Sequence, residues 1–181
     1  MAEKDGRRSW VMVNRAPVLT LWAAVVAEVL GFEHDEALTL GGAVAGLNAY
    51  SKGVSLGLFQ PTPGEVKEQR RKMRTEETVT VDLSNRAVPA KHTDEGLRAL
   101  SGESLIRPES VQKYLESKFG DALQDVSKAM LELAKSLPPP QLAEKAYSMY
   151  EKFRPEIPPG KKGWEASGKL DLDLIHKIAS A

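Results

Sequence analysis

Cysteine is absent from the 181 residues. That excludes disulfides, thiolate metal sites and thiol nucleophiles, and it suits a cytoplasmic protein. Histidine is scarce: His34, His92 and His176 stand far apart in the chain. No histidine-rich metal set can be built from them locally, and neither a metal nor a cofactor is expected. Aromatic residues make up only 6%, so the core must be built mainly from Leu, Val and Ala. No sign of charge dominates, with 25 basic against 25 acidic residues. A balanced chain does not advertise nucleic acid or an anionic membrane as partner, and any such site has to be a local patch. A membrane span needs about 20 apolar residues, and Arg15 and Glu28 bracket too few. Arg7 and Arg8 ahead of an apolar run faintly resemble a secretion leader. Glu3 and Asp5 dilute that positive region, and the apolar pattern continues past Ala27, so no leader is expected.

What the chain does have is a long apolar stretch of helical character, Ala16 to Tyr50. Pro17 suits a first helical turn, where a missing N–H costs little. Gly31 suits a helix end, because glycine accepts the left-handed conformation found there. Leu19, Trp22, Ala23, Val26 and Leu30 recur at helical spacing. A second helix is expected from about His34 to Tyr50, carrying Leu40, Val44 and Leu47. Gly42 and Gly46 lie inside it, where glycine costs up to about 1 kcal/mol relative to alanine. Close approach of another helix is the simplest reason for them. The pair reads as a buried helical hairpin, preceded by an extended arm at Trp10, Val11 and Val13.

Ser51 to Gly64 reads as a loop, and Val66 to Glu77 as a charged, exposed helix or linker. Thr78 to Leu83 alternates valine and leucine with polar residues. With a turn at Ser84-Asn85 and a return over Arg86 to Ala90, it predicts one small β-hairpin. Asp94 to Leu100 reads as a short helix capped by Thr93 or Asp94. Further helices are expected from Pro108 to Phe119, from Ala122 to Leu137 and from Gln141 to Phe153, the last two packed antiparallel across Pro138-Pro139-Pro140. Pro155 to Lys169 reads as irregular, and Leu170 to Ala179 as a final helix. The expected fold is mainly α with one small β-hairpin. Three regions divide the chain: 1–60 with the arm and helical hairpin, 61–92 with the charged segment and β-hairpin, and 93–181 with the C-terminal helices. Together they suit one domain.

Five features bear on chemistry. Val26 to Leu40 fits a helix-turn-helix pattern, with Glu33, His34, Asp35, Glu36 and Thr39 at the positions that would face DNA. Phosphate would repel that acidic helix start, and a plain helical hairpin is favoured. Lys67, Arg70, Arg71, Lys72 and Arg74 form a basic segment that could contact nucleic acid, with Arg7, Arg8, Arg15 and Lys52 able to join it. A solvated, salt-bridged helix looks the same. Gly53-Val54-Ser55-Leu56-Gly57 matches the G-x-S-x-G of hydrolases, but no strand precedes it, and Asp82 or Asp94 with His176 complete a triad only on paper. Glu33-His34-Asp35-Glu36 lacks the facing spacing of a metal site. Arg154, Lys161, Lys162 and Trp164 gather in the loop after the Gln141–Phe153 helix, as an anion grip or as a strap anchored by the tryptophan. The function read from these is a non-catalytic interaction or regulatory protein. Its expected partner is a protein or a second copy, with nucleic acid through residues 67–74 as a further candidate and no membrane. The rival is a small-ligand-binding protein, or a hydrolase-like enzyme using Gly53–Gly57. Its pocket would lie between the helical hairpin and the C-terminal helices.

Overall fold

The computed structural model describes residues 3–4, 7–55, 78–83, 86–101, 104–155 and 167–180. Two short strands, β1 (Glu3–Lys4) and β2 (Arg7–Arg8), pair with each other ahead of β3 (Trp10–Asn14). β3 runs straight into α1 (Arg15–Val29). Every residue of α1 from Pro17 to Ala27 is buried. A helix that is apolar all round must sit inside a protein, and α1 is packed by β3 and by four of the helices that follow. Trp22 is wholly buried. Its indole Nε1 donates to the Ala146 carbonyl at 2.8 Å, and its ring meets Phe153 edge-on at 5.3 Å. A buried indole needs such a partner for its N–H.

Gly31 ends α1 at φ +114°. Its amide donates to the Glu28 carbonyl at 3.1 Å, and the Phe32 amide donates to the Ala27 carbonyl at 3.0 Å. These two bonds make a Schellman ending, which satisfies carbonyls the helix leaves open. α2 (His34–Ser55) then folds back along α1. It runs five residues further than expected, so Ser51–Ser55 are helix and not loop. The close approach of α1 falls at Gly41; at Gly42 a Cβ would come within 3.2 Å of the Val111 side chain on the helix from Pro108 to Phe119, and Gly46 has no such neighbour. A Cβ on Gly41 would strike the Thr20 carbonyl oxygen and come within 3.0 Å of the Ala24 nitrogen, whereas one on Gly46 would meet nothing.

The fold class is α+β, not mainly α. β4 (Thr78–Leu83) and β5 (Arg86–Thr93) form the expected hairpin, with Leu83 facing Arg86. Ser84 and Asn85 lie outside the described residues. The sheet then continues as an antiparallel meander through β6 (Gly96–Ser101) and β7 (Ser104–Leu105). β6 takes up most of the segment expected as a short helix. Thr93 fits the turn as well as it would fit a helix cap. Its Oγ1 accepts from the Glu95 amide at 3.2 Å and donates to the Gly96 carbonyl at 2.7 Å, closing the β5–β6 hairpin. Leu97, Arg98, Ala99 and Leu100 are all buried, so β6 carries no alternation to read. Leu, Arg and Ala are good helix formers, and tertiary packing overrides them here.

After β7 come α3 (Pro108–Phe119), a 3-10 turn (Gly120–Ala122), α4 (Leu123–Lys135) and α5 (Pro139–Phe153). α4 and α5 do not pack mainly on each other. Both lie on α1, and the other main neighbour of α4 is the last helix, α6 (Leu172–Ser180). A second departure from the expected fold precedes α6. Ser167–Asp171 is a strand, β8, antiparallel to β3 from Trp10↔Asp171 to Asn14↔Ser167. Leu170, expected on the last helix, is instead a buried strand residue. Asp171 Oδ1 accepts the Leu174 amide at 3.1 Å and caps α6. Buried residues from Val11 to Ile175 join in one apolar cluster. No helix among the described residues is long and apolar enough to cross a membrane.

Candidate functional site

The second helix begins by binding the sheet. The Glu36 side chain accepts the Glu33 amide at 3.0 Å through Oε1 and the Leu97 amide at 2.8 Å through Oε2. One turn on, Thr39 Oγ1 accepts the Ala99 amide at 3.1 Å. Leu97 and Ala99 lie two apart on β6, so their amides point the same way, off the edge that β7 leaves uncovered. Glu36 and Thr39, three apart on α2, share a helical face. They act there as a partner strand would, and an open sheet edge needs such cover. The Leu97 amide, and then the Glu33 amide, hold the Glu36 carboxyl below its usual range. Partial burial opposes them, and Arg98 and His92 help. The helix-turn-helix reading needs Glu36 and Thr39 free to meet DNA, and Thr39 is wholly buried. That face of α2 is an internal joint.

A cleft of about 740 Å³ opens between the helical hairpin and the C-terminal helices. Its walls are helix stripes. α1 supplies Leu21, Ala24, Val25, Glu28 and Val29, and α4 supplies Leu123, Gln124, Ser127, Lys128, Leu131 and Lys135. Both sets recur at three- and four-residue spacing, which puts each on one face of its helix. Leu38 of α2 and Leu115 of α3 complete the apolar lining. Leu21, Val25, Leu38 and Leu115 are buried, while Leu131 stands 37% exposed at the lip. The apolar surface is therefore deep and the polar groups sit around the mouth, as ligand sites commonly have it.

His34 and Glu28 share that mouth. His34 Nδ1 lies 3.3 Å from Glu28 Oε1. A carboxylate on Nδ1 orients an imidazole and leaves Nε2 outward, which is the arrangement a general base needs. A nucleophile must then lie within hydrogen-bond reach. Ser127 lines the same cleft, but no hydrogen bond joins it to His34 among the described residues.

The other candidate residues are placed as follows. Lys67, Arg70, Arg71, Lys72 and Arg74 lie outside the described residues, as do Leu56, Gly57, Lys161, Lys162 and Trp164. Gly53, Val54 and Ser55 are helical, at the end of α2, so Ser55 does not sit on a turn after a strand. His176 Nδ1 meets Glu132 Oε2 at 2.9 Å, tying α6 to α4. His92 is exposed on β5. Arg15 Nε donates to the Pro155 carbonyl at 2.7 Å. Arg154 lies over the Tyr150 ring at 6.0 Å.

The α4 wall of the cleft escaped sequence reasoning, although one residue signals it. The buried stripe of α4 is Val126, Ala129, Met130, Leu133 and Ala134. Leu131 falls off that stripe, and a leucine on the polar side of an amphipathic helix marks a second contact. No family model matches the chain, and no curated protein or solved structure does.

Proposed function

We propose that the protein is a non-catalytic binding protein that holds a small, apolar-bodied ligand in the cleft between α1 and α4. The observation that carries this reading is the cleft itself, about 740 Å³ of mostly apolar space with its polar groups at the mouth. Ligand sites commonly span about 300–1,000 Å³ and lie between the helices of bundles. The His34–Glu28 pair does not turn the reading toward hydrolysis, because the serine in the cleft is not bonded to it. Nor does Ser55, whose helical setting lacks the strand-to-helix turn that exposes a nucleophile.

Fluorescence titration with the neutral apolar dye N-phenyl-1-naphthylamine tests the reading, with wild type and Leu131→Gln compared. Leu131 is at the lip, so its replacement should leave folding almost unchanged. Wild type is expected to bind the dye, and L131Q to bind it about tenfold less tightly, as the loss of most of one leucine contact implies. Equal binding by both proteins, or none by wild type, would remove the cleft from consideration. A shift to dimers that buries Leu131 would assign the cleft to a second copy instead, and sedimentation of the same samples shows it.

A further inference from the structure

Among its described lining residues the cleft has no aromatic side chain. Its α1 stripe runs from Leu21 to Val29, about 12 Å at 1.5 Å per residue. Its apolar described residues are leucine, valine and alanine, and these offer no ring on which a planar ligand could stack. A flexible aliphatic chain suits that shape and chemistry better than a flat heterocycle.

The mouth is unevenly charged. Lys128 and Lys135 lie on the same face of α4 as Leu131, one turn before it and one turn after. Among the described residues neither lysine has an ion-pair partner. Glu28, the one carboxylate among the described lining residues, is engaged by His34. Two ammonium groups therefore flank the lip leucine, and among the described residues no carboxylate pairs with either. Gln112, Gln124 and Ser127 add neutral hydrogen-bonding groups.

We infer that the ligand is a free single-chain amphiphile with an anionic head, its chain in the apolar cleft and its head between Lys128 and Lys135. This rests on the ligand-binding reading above and adds the ligand's class and orientation. A soluble amphiphile is chosen over a lamellar lipid surface because the apolar residues lie at the bottom of a concavity. Among the described apolar lining residues, Leu131 alone ranks with the exposed large hydrophobics.

Calorimetric titrations with dodecanoate and with dodecyltrimethylammonium, both below micelle formation, test the inference. They use wild type and the double variant Lys128→Gln/Lys135→Gln. Both lysines are exposed on α4, so the variant should fold. Dodecanoate is expected to bind wild type at least tenfold more tightly than the cationic amphiphile. The double variant should lose that preference and keep its affinity for N-phenyl-1-naphthylamine. Decanoate should bind about tenfold more weakly than dodecanoate, as two fewer buried methylenes imply. Equal binding of the two head groups, or a preference that survives in the double variant, overturns the inference and leaves the cleft reading standing. Capture by anionic vesicles with no binding of free dodecanoate overturns it in favour of a membrane surface. Failure of dodecanoate and the neutral dye together removes both readings.

Discussion

Glu36 ties two elements with one carboxylate, and that makes it the most informative single residue in the fold. Replacing it with alanine leaves the Leu97 and Glu33 amides without their acceptors. A lost acceptor costs about 1–3 kcal/mol when the donor is shielded from water. Glu36→Ala should therefore lower the unfolding free energy by that order in a urea melt. The pH dependence has a definite sign. The carboxyl is held below its ordinary value of 4.5 in the folded protein, first by the Leu97 amide and then by the Glu33 amide. A depressed folded pKa contributes stability above the unfolded value and loses it as pH falls through the folded one. The advantage of wild type over Glu36→Gln should hold at pH 7 and shrink as pH drops below 4.5. An advantage unchanged down to pH 3 would assign it to shape and not to charge.

At the scale of elements, the contact between α1 and α2 depends on one glycine. Gly41→Ala should cost about 1–3 kcal/mol, because the new methyl meets the backbone of α1 and not a movable side chain. Gly46→Ala meets nothing. It should be neutral or stabilise by up to about 1 kcal/mol through helix propensity. Thermal melts of the two variants side by side distinguish them. The same elements show what the sequence can and cannot reveal. α1, its glycine ending, the β4–β5 hairpin and α3 are each written in a local pattern of spacing, capping or alternation. β6 and β8 are not. β6 is buried on both faces, so periodicity is lost. β8 is a five-residue strand, Ser167–Asp171, whose partner β3 lies more than 150 residues earlier in the chain. Such pairings depend on tertiary context and leave little local trace. Of the cleft, only its place between the hairpin and the C-terminal helices was legible, together with His34 as a residue of interest. Which stripe of α4 faces it depends on how α4 rolls onto α1 and α6.

At the scale of the molecule, α1 is the shared support. α2, α4 and α5 all pack on it, and its Leu21–Val29 face is one wall of the cleft. A ligand held there touches both halves of the fold and must stabilise the whole chain by linkage. At a hundred times its dissociation constant, dodecanoate should add about 2.7 kcal/mol to the unfolding free energy, read as a rise in melting temperature. L131Q should show a smaller rise at the same concentration. The cleft is tested most directly by methyl-resolved NMR of the leucine and valine residues during a dodecanoate titration. The account predicts saturable shifts concentrated at Leu21, Val25, Leu38, Leu115 and Leu131, with Leu133 and Leu142 of the core unmoved. Shifts scattered over the surface, or confined to the exposed Met12 and Val79 regions of the two sheets, would contradict it.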